Sequence, residues 1–164
     1  MKKIELKSIK HCEWASQETN NYVANIWVDG KKFAHVKNDG HGGCDLVIPY
    51  KPYTHQDVAN LNQWCKDNYP SEEFHGMTIE HDLEYVCDDL LTDWLIRKDY
   101  KRLTRTKILY YEEGVEGVYE MGFKNIRKLT EPHFLMVKTH YPDRIVLNTM
   151  PEDQAIAIFK GAVK

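Results

Sequence analysis

Tyr22-Val-Ala-Asn-Ile-Trp-Val28, then Asp29-Gly30, then Lys32-Phe-Ala-His-Val-Lys37 is the stretch whose reading decides the fold. Two alternating runs joined by Asp-Gly predict a β-hairpin, because both central residues of a type I′ turn need positive φ and Asp-Gly supplies them. In the first strand Tyr22, Ala24, Ile26 and Val28 share one face, and Val23, Asn25 and Trp27 share the other. The first face belongs to a core. The segment Asn38-Asp-Gly-His-Gly-Gly-Cys-Asp45 follows and leads to Tyr50. Its glycines open backbone conformations closed to other residues, so it is either a contact site or a tightly shaped corner.

Working outward, residues 3 to 10 alternate and predict a first strand, and Ser16 to Asn21 form a polar loop before the hairpin. Leu46 to Ile48 read as a short strand stopped by Pro49 and Pro52. Thr54 and Asp57 form a capping-box pattern that opens a helix through about Asn68. A longer amphipathic helix is expected from Thr78, carrying Ile79, Leu83, Val86, Cys87, Leu90, Leu91, Trp94 and Leu95. Its acidic first half and basic end suit the helix dipole. Lys107 to Tyr111 and Val118 to Phe123 predict a second hairpin. A helix capped by Thr130, a strand over Arg144 to Asn148 and a last helix from near Pro151 to Gly161 complete the chain. The expected fold is α+β: a mixed or antiparallel sheet of two hairpins with N- and C-terminal strands, packed on three to four helices. No linker or repeat interrupts residues 1–164, which predicts a single domain.

The 164 residues, 42% hydrophobic and 29% charged, with a net charge of -3, describe an ordinary soluble chain with no global attraction for nucleic acid or anionic membrane. Mean hydropathy is -0.60. Neither a secretory h-region nor a membrane span is recognised, so a cytoplasmic protein with free thiols at Cys12, Cys44, Cys65 and Cys87 is expected. Cys65 and Cys87 fall on inward faces of predicted helices.

Candidate chemistry is sparse. The glycine loop matches no nucleotide-binding fingerprint, although a backbone nest there would suit an anion. His41 and Cys44, with His35 or His55, offer a partial metal or thiol constellation, but a structural zinc needs four ligands with paired short spacings. No catalytic residue, metal or cofactor is assigned. His81-Asp82 is similar to the core dipeptide of HD-type phosphohydrolases, but the spacing to the other histidines and acids does not fit that family's helical arrangement. Arg97 to Lys107 is basic and precedes Tyr110, Tyr111 and Tyr119, a combination that suits single-stranded nucleic acid if the nearby glutamates leave it open.

Thr19, Val28-Asp-Gly-Lys31, Asn38-Asp-Gly-His-Gly-Gly43 and Tyr141-Pro-Asp-Arg-Ile-Val-Leu-Asn148 together resemble small uncharacterised proteins of tailed phages and bacterial mobile elements. The resemblance implies a setting and no catalytic residues. It leads to the expectation of a binding protein that engages a host protein, a defence system among the candidates, through Trp27, His35, Asp39, Gly40, His41, Gly42 and Gly43. Two alternatives stand beside it: a small metal-dependent or nucleotide-binding enzyme centred on the glycine loop, and a single-strand nucleic-acid binder through residues 97–119.

Overall fold

In the computed structural model, which describes residues 1–162, Asp29 and Gly30 take φ of +50° and +76°, the pair of positive values that a type I′ turn demands. They join β2 (Asn21–Val28) to β3 (Lys31–Asp39). With β1 (Ile4–His11) and β4 (Leu46–Pro49) these form an antiparallel sheet in the order β1-β2-β3-β4. Among the described residues the chain is α+β, with antiparallel sheets and four helices. It divides into two compact units, Met1–Thr92 and Asp93–Lys164.

In the first unit the alternation of β2 holds as read. Tyr22, Ala24 and Ile26 are buried, as are Ala34 and Val36 on the same face of β3. Buried Leu61 and Cys65 of α1 (His55–Asn68) and Leu83, Val86, Cys87 and Leu91 of α2 (Leu83–Leu103) supply the helical side of this core. Burial pushes the Cys65 thiol up to about 11 and the Cys87 thiol well above its ordinary value, so both behave as small apolar side chains. Thr54 caps α1, accepting from the Asp57 backbone N–H while Asp57 accepts from the Thr54 N–H at 2.7 Å. Two bulges interrupt the sheet. One lies in β1 between Lys7 and Lys10, where Ser8 takes φ +55°, and the other in β3, where Ile26 faces Ala34 but Trp27 faces Lys32.

The expected start of the long helix at Thr78 is overturned. Glu72–Phe74 (β5) and Met77–Ile79 (β6) form a small hairpin around His75 and Gly76, at φ +49° and +78°. The helix begins five residues later, where Asp82 Oδ1 accepts from the Tyr85 N–H at 3.0 Å. His75-Gly76 is another positive-φ pair, and its turn chemistry prevails over the helical apolar spacing that runs back to Ile79.

In the second unit β7 (Lys107–Glu112) sits between β8 (Tyr119–Gly122) and β9 (Arg144–Val146). Leu109 joins a buried cluster with Tyr100, Leu147, Ala155, Ile156 and Phe159, which draws on α2 and α4 (Glu152–Ala162). Ile108 points to the other face and packs with Leu129 and with Val137 of α3 (Glu131–His140). Consecutive buried residues in β7 thus reflect helices on both sides of a small sheet. The expected strand over Arg144 to Asn148 is shorter than read, because Leu147–Thr149 turn into a 3-10 segment. That turn aims the Asn148 side chain back at β7: Oδ1 accepts from the Leu109 N–H at 2.8 Å, and Nδ2 donates to the carbonyls of Lys107 at 3.0 Å and Thr104 at 3.3 Å.

Candidate functional site

The four-stranded sheet has an outer face, opposite the core, whose composition follows from the register. Residues paired across antiparallel strands share a face. Glu5, Trp27 and Lys32 therefore lie in one row, Lys7, Asn25, His35 and Ile48 in the next, and Lys10, Val23, Lys37 and Leu46 in a third. Leu46 and Ile48 are 49% and 43% exposed. Trp27 and His35 are half-buried, and Lys10 and Lys37 are exposed.

The first two rows are internally engaged. The Lys7 ammonium lies 4.3 Å from the centre of the Trp27 ring and 3.6 Å from Glu5, and the Lys32 ammonium lies 4.1 Å from the Tyr50 ring. The Tyr50 phenol donates to Asn25 Oδ1 at 2.6 Å. Lys10 and Lys37 in the third row form no ion pair among the described residues. Val23 stands between them.

The glycine loop closes the end of the sheet nearest that third row. Gly40 is buried, and its carbonyl accepts from the N–H groups of Gln17, Glu18 and Thr19 at 3.0, 3.1 and 3.5 Å. Asn38 ties the loop together: Oδ1 accepts from the Gly40 N–H at 2.9 Å and from Thr19 Oγ1 at 2.8 Å, while Nδ2 donates to the Gly43 carbonyl at 2.8 Å. The loop is thus a hydrogen-bonded corner. Its outward groups are Asp39 and His41, with side chains 79% and 59% exposed and His41 Nδ1 3.6 Å from Asp39 Oδ1. Of the predicted contact residues, Trp27 and His35 fall on the outer face, Asp39 and His41 at its rim, and Gly40 and Gly42 against the Ser16 to Asn21 loop. At Gly43 a side chain would point into open space, although its carbonyl is held by Asn38.

On the other side of the loop is a cleft of about 400 Å³ lined by Glu18, Tyr22, Asn38, Asp45, Glu84 and Asp88 among others. The buried Tyr22 phenol donates to Asp45, Asn38 Nδ2 donates to Asp45 Oδ1 at 3.1 Å, and the Asp45 N–H donates to Glu84 Oε1 at 3.0 Å. Burial raises the Asp45 carboxyl above the ordinary range. The bonds from Tyr22 and Asn38 act against that rise, and the charges of Glu84 and Asp88 add to it. Burial likewise holds the Tyr22 phenol protonated. Sequence reading did not single out this pair, which lies 23 positions apart. An alternating strand does not reveal that its core tyrosine ends in a polar cleft.

Because the folded state holds the Asp45 proton more tightly than the unfolded chain does, this group favours the fold below the ordinary carboxylate range. That contribution is lost as pH rises through the folded pKa. Glu84→Gln keeps an acceptor for the Asp45 N–H and removes one neighbouring charge. It is expected to lower the Asp45 pKa toward its ordinary value in a carbon-detected NMR titration of the carboxyl groups. An unchanged titration would mean that desolvation alone sets it.

Among the described residues, no group of three or more His, Cys, Asp or Glu side chains is placed to hold a metal ion. Cys44 is exposed. The imidazole of His81 is buried and stacked on Tyr85 with ring centres 3.8 Å apart, and it precedes α2 instead of lying within it. In the basic run, Arg97 bonds Asp93 and Asp153, Lys101 pairs with Glu152, Arg102 with Asp99, and Lys107 with Glu120. These cations support their own unit. No helix among the described residues is long and apolar enough to cross a membrane.

Comparison with known protein families, with curated proteins and with solved structures finds no match for the chain.

Proposed function

We propose that this chain is a non-catalytic, cytoplasmic binding protein that presents the outer face of its four-stranded sheet, bordered by the glycine loop, to a protein partner. The observation that carries this reading is the outer face itself: Leu46 and Ile48 stand exposed beside His35, Trp27 and unpaired lysines on a regular antiparallel sheet. Exposed apolar groups rimmed by charge on a rigid element are what a recognition surface requires. The bonded glycine corner supports the same reading, since it fixes the backbone that carries Asp39 and His41 at the rim and so reduces the ordering cost of binding. The likeness of residues 19–45 and 141–148 to small phage and mobile-element proteins supports a host protein as partner, with defence components first to be tried.

A photo-crosslinking amino acid placed at Ile48, and separately at the exposed Gln63 of α1 as a control, tests this in cells where the protein naturally occurs. The expected result is a discrete adduct from position 48, sensitive to protease and resistant to nuclease, and none from position 63. No adduct from position 48 in the folded protein, or the same adducts from both positions, would overturn the reading.

A further inference from the structure

Resting on that reading, we infer that the partner segment is acidic and amphipathic: carboxylates seated against Lys10 and Lys37, and apolar side chains seated on Val23, Leu46 and Ile48. Charge complementarity carries the inference. The first unit holds nine lysines and no arginine against fifteen carboxylates, yet the outer face of its sheet shows four lysines, Lys7, Lys10, Lys32 and Lys37, against two acids, Glu5 and, at the rim, Asp39. Two of those lysines are already occupied by Trp27, Glu5 and Tyr50. Lys10 and Lys37 are the cations left to meet an incoming charge, and the apolar Val23 between them sets what lies between the incoming carboxylates.

The same geometry disfavours nucleic acid. Single-strand binders offer open aromatic faces for bases, whereas the rings of Trp27 and Tyr50 each have a lysine ammonium over them. A polyphosphate carries a charge at every nucleotide and extends beyond so small a basic patch into the acidic remainder of the unit. A protein segment can place carboxylates at the two lysines and nowhere else. Exposed Leu46 and Ile48 would also be left unfilled by a sugar-phosphate backbone.

Amide shifts of the full-length, nitrogen-15-labelled protein test this with four probes of matched length: a peptide of Glu-Leu-Glu repeats, its Lys-Leu-Lys counterpart, oligoglutamate and oligothymidylate. The Glu-Leu-Glu peptide is expected to shift residues 10, 23, 37, 46 and 48 most strongly. Lys10→Glu with Lys37→Glu, both at exposed positions, is expected to weaken it about tenfold or more while the spectrum stays dispersed. Oligothymidylate acting on the same residues at equal or lower concentration would overturn the inference in favour of nucleic acid. Oligoglutamate or Lys-Leu-Lys binding as well as Glu-Leu-Glu, or no shifts with Glu-Leu-Glu into the millimolar range, would overturn it too. The two levels separate cleanly: an adduct from position 48 that survives the double lysine variant sinks the acidic partner and leaves the binding surface standing. Loss of that adduct from the unaltered face sinks the surface itself.

Discussion

Gly40→Ala is expected to destabilise the first unit by about 3 kcal/mol or more, while Gly43→Ala leaves its stability within about 0.5 kcal/mol. Gly40 has φ +85°, and a methyl group there would lie 2.2 Å from the Ala15 carbonyl oxygen and 3.0 Å from Asn21 Cβ. The first contact is with backbone, which cannot swing aside. Relief requires moving the Gly40 carbonyl that accepts from Gln17, Glu18 and Thr19, so the left-handed strain of an L-residue adds to the loss of buried hydrogen bonds. Gly43 has nothing within 4 Å of an added methyl. Urea unfolding, with hydrogen exchange resolved over residues 12–45, measures both. Equal effects of the two substitutions would show that the loop is not held by the Gly40 carbonyl.

Asn148→Asp should cost the second unit about 3 kcal/mol at neutral pH, and less as the solution is acidified. The introduced carboxylate can still accept from the Leu109 N–H, but the Lys107 and Thr104 carbonyls lose their donor and face a negative charge. The carboxylate is disfavoured beside two carbonyl oxygens, so the folded-state pKa of the new group lies above the ordinary value. Its proton restores one donor. Stability is therefore regained as pH falls through that pKa and is lost again as pH rises. Hydrogen exchange at the β7 amides across a pH series, against the parent protein, reads the effect. A deficit that is flat with pH would mean the side chain does not sit between those carbonyls in solution.

What was legible in the sequence was governed by local rules. Asp29-Gly30, Thr54 with Asp57, and Thr130 with Glu131-Pro132 each state their geometry within four residues, and each turn or helix forms where read. The α+β class follows from them. Thr78 misled because a two-residue turn at His75-Gly76 outweighs a helical spacing that properly begins at Leu83. The division between Thr92 and Asp93 falls inside α2, so no change of composition marks it. For the site, the strand alternation already placed Trp27 on the face away from the core. The row of Lys10, Val23, Lys37 and Leu46 emerged only from pairings across four strands. Nor could spacing show that Asn38, a residue of the glycine motif, is the one that binds the loop together.

The bulge at Ser8 has a consequence for how any partner arrives. β1 is a free margin of its sheet, and a flat margin of that length would invite another chain to pair with it backbone to backbone. The left-handed residue and the register shift between Lys7 and Lys10 break that ladder. At the opposite margin β4 offers four residues ending in Pro49. Neither border therefore offers a long, regular ladder for backbone pairing, whether to a foreign strand or to a second copy of the chain.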